Sequence, residues 1–202
     1  MTSADYDSLI WDQFLARNGL LHMYLKNAAD WYSNLVDCLL ERVKHTETPI
    51  LLALNGCQGS GKTTLADYLA TYITSCSEIS VSVLALDDFY LDHAERGRLA
   101  RKVHPLLATR GVPGTHETSL LKETLDRLMG DDAIGTKIPQ FDKSMDDRRP
   151  TSEWLITKKK PKIIILEGWC LGAQPSDEKD LVDPVNNLER LEDLDGSWRR
   201  YV

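Results

Sequence analysis

Residues 51–64 read LLALNGCQGSGKTT, and this stretch decides the fold. Gly56, four residues, then Gly61, Lys62 and Thr63 form the G-x-x-x-x-G-K-[ST] pattern of a phosphate-binding P-loop. The apolar run Ile50 to Leu54 has the length and purity of a strand buried on both faces, and the residues after Lys62 show helical spacing. A strand, a glycine-rich loop and a helix are therefore expected in that order. Glycines at 56, 59 and 61 let the backbone close around phosphate oxygens, and the free N–H groups at the start of the helix attract negative charge. On this reading Gly56, Cys57, Gln58, Gly59, Ser60, Gly61, Lys62, Thr63 and Thr64 hold ATP. Lys62 reaches the β and γ phosphates, and Thr63 offers its hydroxyl to Mg²⁺. A plain glycine-rich turn is the alternative, and five specified positions with the right flanks weigh against it. Cys57 is read as a small loop residue, since nothing near it in sequence would serve as its base.

Beyond this loop, the 202 residues, 42% hydrophobic and 27% charged, suit one globular domain without a second core. A net charge of −7 argues against a general nucleic-acid or acidic-membrane binder, so anionic ligands must be captured locally. Cys38, Cys57, Cys76 and Cys170 form no C-x-x-C pair, the acidic N-terminus lacks a signal-peptide pattern, and no apolar run approaches membrane-spanning length. These features point to a reduced, cytoplasmic protein.

Residues 1–48 read as a helical extension: a short helix around Ile10 to Arg17, Gly19 near its end, then a long amphipathic helix through Leu21, Tyr24, Leu25, Ala28, Trp31 or Tyr32, Leu35, Leu39 and Val43. Trp11 and Trp31 are assigned to packing rather than to a ligand platform. Residues 49–202 form the second region. There the helix after the P-loop leads to an apolar run, Val81 to Leu86, which completes a βαβ unit with parallel strands and shared carboxyl ends. Ligands of open α/β sheets bind just beyond those ends. Asp87, Asp88, Phe89 and Tyr90 follow immediately. Asp87 can take the proton of a hydroxyl that attacks a γ-phosphoryl group, or else the acidic pair is a helix cap and a solvated turn.

The segment HPLLATRGVPG, 104–114, cannot be one helix, and Thr115 with Glu117 reads as the start of the next. A loop of this kind bearing Arg110 suits capture of an anionic substrate, with His116 and Arg148 as lesser candidates. The charges of DKSMDDRR, 142–149, read as a solvated face, and TKKKPK, 157–162, as a solvated approach to a strand. That strand is Ile163 to Leu166. Glu167 at its end is the expected second partner of Mg²⁺. Asp183 and Pro184 then read as the opening of a helix through Leu188 and Leu191.

LNGCQGSGKTT, LDDFYL, HPLLATRGVPGTHE, IPQFDKSMDDRRP, ILEGWCLG and NNLERLEDLDGSWRRYV together resemble the D-glycerate 3-kinase group and its kinase-like relatives. More distantly they resemble uridine kinase, phosphoribulokinase and pantothenate kinase. The resemblance implies a P-loop NTPase-type α/β fold, a parallel sheet flanked by helices. It implies an ATP- and Mg²⁺-dependent small-molecule kinase with Asp87 as catalytic base and Glu167 as the acidic residue of the E-G motif; Lys62 is placed beside them by the P-loop, and Asp88, Tyr90, Arg110, His116 and Arg148 are the candidates for the acceptor site. D-Glycerate or a related hydroxy acid is the favoured acceptor. Uridine-kinase-like or pantothenate-kinase-like activity, a regulatory ATPase and a non-catalytic nucleotide-binding fragment are the alternatives. In the family's strand order, 2-3-1-4-5, the sequence supplies strands 2, 3 and 1. A C-terminally truncated sheet is thus expected, with the P-loop strand on an exposed edge open to self-association.

Overall fold

A computed structural model describes residues 9–202. In chain order the elements are α1 (Leu9–Asn18), α2 (Met23–Lys44), β1 (Ile50–Asn55), α3 (Lys62–Cys76), β2 (Val81–Ala85), α4 (His93–Lys102), α5 (Thr118–Met129), β3 (Lys137–Ile138), β4 (Phe141–Asp142), β5 (Asp147–Arg148), β6 (Leu155–Ile156), β7 (Ile163–Gly168), α6 (Asn187–Glu192) and α7 (Ser197–Tyr201). The chain divides into two compact units. The first holds residues up to Ala85 with Asp126–Thr136 and Thr157–Trp169; the second holds Leu86–Leu125, Lys137–Ile156 and Cys170–Val202.

The first unit is built on a parallel sheet of order β1-β7-β2. In family order this is 1-3-2, so the resemblance predicted the sheet correctly, including β1 at its edge. The central strand β7 is buried along its whole length, because neighbours pair with both of its sides and both of its faces are covered. Ile163 and Ile165 join Ala66, Leu69 and Ile73 of α3 and Leu25, Ala28, Val36 and Leu39 of α2 in one apolar core. Trp11 and Phe14 of α1 pack on Tyr68 of α3 with ring centroids 5.7 and 6.1 Å apart. Arg17 clamps the same helix, donating to both Asp67 oxygens at 2.7 Å. The two N-terminal helices thus share one core with the Gly-rich loop's own helix.

Two expectations fail here. β1 alternates between half-buried and exposed: Ile50, Leu52 and Leu54 point into the core, while Leu51 is 42% exposed. One covered face gives alternation, and only a strand covered on both faces is buried throughout. Trp31 is 64% exposed, because the buried positions of α2 (25, 28, 36 and 39) define a stripe that passes through the half-buried Tyr32 instead.

The second unit is irregular and held largely by polar contacts. Leu91 N donates to Thr115 O at 2.9 Å and Glu117 N to Phe89 O at 2.7 Å, which laces the LDDFYL segment to the TRGVPGTHE segment. Asp92 caps α4 by accepting from Glu95 N at 2.7 Å. The hairpin β4-β5 turns through residues 143–146, where Asp146 takes a left-handed φ of 53°. The buried Asp193 accepts from Trp198 N at 2.8 Å and Arg199 N at 3.1 Å, and so starts α7.

Three further readings are corrected. Thr115 does not cap α5, which begins at Thr118; its hydroxyl donates to Val112 O at 2.6 Å and fastens the preceding turn. The helix expected from Asp183 and Pro184 starts instead at Asn187. Asn186 is its cap and accepts from Glu189 N at 2.9 Å. Leu188 and Leu191 are exposed. The charges at 142–149 are not a solvated face but an ordered network, described below.

Candidate functional site

In the first unit the chain leaves β1 and enters α3 through the Gly-rich loop. Gly59 and Gly61 have φ of 77° and 83°, a region side chains disfavour, so this path requires glycine at both. At Gly56 the requirement is space: a Cβ there would lie 2.9 Å from Ser60 Oγ. Gly56 N donates to Gly168 O at 3.2 Å, tying the start of the loop to the end of β7. Lys62 Nζ donates to Cys57 O at 2.8 Å, so its ammonium lies back across the loop. Thr63 Oγ1 donates to Glu167 Oε1 at 2.7 Å. The register Leu54↔Glu167 and Ala85↔Glu167 explains this meeting, because it sets Glu167 at the carboxyl end of the sheet's central strand. An N-terminal helix end, an ammonium, a hydroxyl and a carboxylate thus lie on one short stretch of sheet edge, an arrangement suited to phosphate and a hard cation. No cluster of three or more His, Cys, Asp or Glu side chains able to hold a metal ion alone occurs among the described residues.

In the second unit the chain continues from β2 into a single 3-10 turn, Leu86–Phe89. Asp87 Oδ2 accepts from Lys143 Nζ at 2.7 Å, and the Tyr90 hydroxyl donates to the same carboxylate. Burial, reinforced by that carboxylate, drives the Tyr90 hydroxyl far above its ordinary range, so it stays protonated. His116 stacks on Tyr90 with centroids 4.3 Å apart and is 8% exposed. Its burial lowers the imidazole to about 4, against the opposing pull of Asp87, and leaves it neutral at physiological pH. Cys170 is pushed up by burial and then by Asp87. Asp87 therefore sits in a polar group of Lys143, Tyr90, His116 and Cys170. Asp88 Oδ1 accepts from Phe141 N at 2.9 Å, which ties it to the hairpin.

The arginines are engaged within the chain. Arg110 pairs with Asp146 Oδ1 and lies 5.5 Å from the Phe141 ring centroid. Arg148 spans Glu117 at 2.6 Å and Tyr90 O at 2.7 Å. Arg96 is completely buried and donates to Leu91 O, Ala108 O, Asp146 O and Asp146 Oδ2 at 2.6–3.2 Å. Sequence reasoning missed Arg96 and Lys143. Arg96 lies in a helix with several other cations and carries no local mark, and Lys143 was hidden in a run of charges of both signs.

No family model matches the chain. It is 41% identical over 138 residues to an uncharacterised kinase, mug58, of Schizosaccharomyces pombe; the match covers 64% of this chain and 49% of that protein. It is 33% identical over 170 residues to the chloroplastic D-glycerate 3-kinase of Arabidopsis thaliana, covering 76% of this chain and 36% of that protein. Among solved structures, D-glycerate 3-kinase from Cryptococcus neoformans superposes with a TM-score of 0.62 at 27% identity, covering 74% of this chain and 55% of that one. The chain spans about half the length, or less, of these relatives matched by sequence.

Proposed function

We propose that this chain, a relative of D-glycerate 3-kinase and of similar kinases over the residues they share, transfers the γ-phosphoryl group of ATP to a hydroxyl of a small metabolite. The relatives' names favour D-glycerate or a related hydroxy acid as acceptor. The observation that carries this reading is the contact of Thr63 with Glu167 beside a loop whose path demands its glycines.

In this P-loop reading the N–H groups from Gly56 to Thr64 and the Lys62 ammonium bind the phosphates. The Thr63 hydroxyl and the Glu167 carboxylate, 2.7 Å apart, are hard oxygen donors that would hold Mg²⁺. A cation held by these two residues would neutralise charge on the β and γ phosphates. Asp87 is the general base: its carboxylate accepts the proton of the acceptor hydroxyl as that oxygen attacks phosphorus. The protonated Tyr90 hydroxyl steadies Asp87 on one side, with the neutral His116 stacked behind it, while Asp88, Arg110 and Arg148 shape the acceptor side by holding the β4-β5 hairpin and the turn after Tyr90. Residues 49–202 carry the chemistry, and α1 and α2 of the N-terminal extension support α3. The four cysteines, all free, suit the cytoplasm, and among the described residues no helix is long and apolar enough to cross a membrane. The unpaired side of β1 is the edge on which self-association would form.

The test is ADP release by the purified chain with and without D-glycerate, related hydroxy acids and nucleosides. Acceptor-dependent release is expected. Release of the same rate without any acceptor would identify an ATPase and overturn the reading.

A further inference from the structure

We propose that Lys143 reads the acceptor's negative charge: its ammonium leaves Asp87 for the carboxylate of an incoming hydroxy acid, so the base is uncovered only when an anionic acceptor is bound. The inference rests on the kinase reading above and names the specificity-determining residue of that site.

The other cations around Asp87 have partners that they cannot leave cheaply. Arg110 is paired with Asp146 and lies on the Phe141 ring. Arg148 is shared between Glu117 and a backbone carbonyl. Arg96 is fully buried with four hydrogen bonds. His116 is neutral. Lys143 differs in kind. Its side chain is 63% exposed, and its partner here is Asp87, 2.7 Å away. Exposed pairs of this sort contribute little net free energy, so a second carboxylate can compete for the ammonium at small cost.

The hairpin turn makes the exchange specific. Asp142 Oδ1 accepts from Ser144 N at 2.9 Å and Met145 N at 3.2 Å, which fixes the first half of the turn. Arg96 and Arg110 grip Asp146 and fix the second half, and Arg110 Nη2 also reaches Lys143 O at 3.4 Å. The backbone of Lys143 is therefore a rigid pivot, while its four-carbon stem can swing the ammonium between two carboxylates. A neutral acceptor offers no second carboxylate, so Lys143 then stays on Asp87 and the base remains covered.

Calorimetric titration of D-glycerate, glycerol and ATP into the full chain, as wild type, Lys143→Met and Lys143→Arg, tests this. Loss of this exposed contact should weaken D-glycerate binding about 5-fold in Lys143→Met, with ATP and glycerol affinities unchanged. Lys143→Arg should retain most of the D-glycerate affinity. Glycerol-dependent ADP release should rise in Lys143→Met, because Asp87 is then free, an effect that simple structural damage would not produce. Equal D-glycerate affinity in wild type and Lys143→Met would overturn the proposal and leave the kinase reading intact. Absence of D-glycerate binding by wild type would overturn it as well, and ADP release with uncharged acceptors would then decide the kinase reading separately.

Discussion

Replacing Arg96 with methionine should destabilise the second unit severely, and the structure sets the size of the effect. The guanidinium is fully buried and supplies the carbonyls of Leu91, Ala108 and Asp146 with donors at 2.7–3.2 Å. Methionine fills much of the volume but donates nothing, so three acceptors lose a charged donor in a place water reaches poorly. At about 1 kcal/mol or more for each acceptor left unsatisfied, the loss is about 3–5 kcal/mol. The ion pair itself adds little: Asp146 is more than a third exposed and keeps Arg110. For a chain of this length each kcal/mol moves the thermal midpoint by about 2–4 °C, so a fall of about 10 °C is expected. Thermal unfolding followed by circular dichroism measures it, with Arg96→Lys falling between the two because one ammonium cannot span acceptors on three sides. A midpoint within about 2 °C of wild type would refute the view that Arg96 organises this unit.

Lys62→Ala should abolish productive ATP binding, read by nucleotide titration, because the loop loses its only lysine over the phosphates. Asp87→Asn should keep ATP affinity while slowing phosphoryl transfer by a factor on the order of 10² to 10⁴, whereas Asp88→Asn should act on hairpin stability through Phe141 N; full activity in the first variant would remove Asp87 as base. His116, held at about 4 by burial against an ordinary value near 6.5, binds fewer protons folded than unfolded between those pH values. Wild type should therefore lose on the order of 3 kcal/mol relative to His116→Gln as pH falls from about 6.5 to about 4, read by urea unfolding; parallel pH profiles would contradict the burial argument. Asp67, raised by burial but brought below its ordinary value by Arg17, Asn18 and Thr71, contributes stability that is present above the unfolded carboxyl value and lost as pH falls through the folded one. Arg17→Ala should lessen that loss in acid.

The glycine-rich turn between β1 and α3 was legible from residues 51–64 because every requirement there is local. Backbone freedom at Gly59 and Gly61, space at Gly56, and the charge of Lys62 are properties of single residues in a short run, and the flanking apolar spacing announces strand and helix. The position of Glu167 and Asp87 at the ends of strands was legible for a related reason: each closes an apolar run. The burial of β1 and the setting of Trp31 were not, since both depend on what covers a face, and composition cannot report that.

By itself, then, the sequence determined the three strands of the parallel sheet and the long helices beside them, the loop that suits phosphate and the two carboxylates at strand ends, all through local backbone preference and hydrophobic period. Only the tertiary structure decided which charges are spent within the chain. Arg110, Arg148 and Lys143 are all cations on irregular segments, alike in sequence. Asp146 and Phe141 take the first, Glu117 and a carbonyl take the second, and Lys143 alone of the three faces Asp87 from an exposed stem. The hydrogen bonds of these three side chains to Asp146, Tyr90 and Asp87 join residues 36, 58 and 56 positions apart, and no local pattern encodes which of such distant residues will meet.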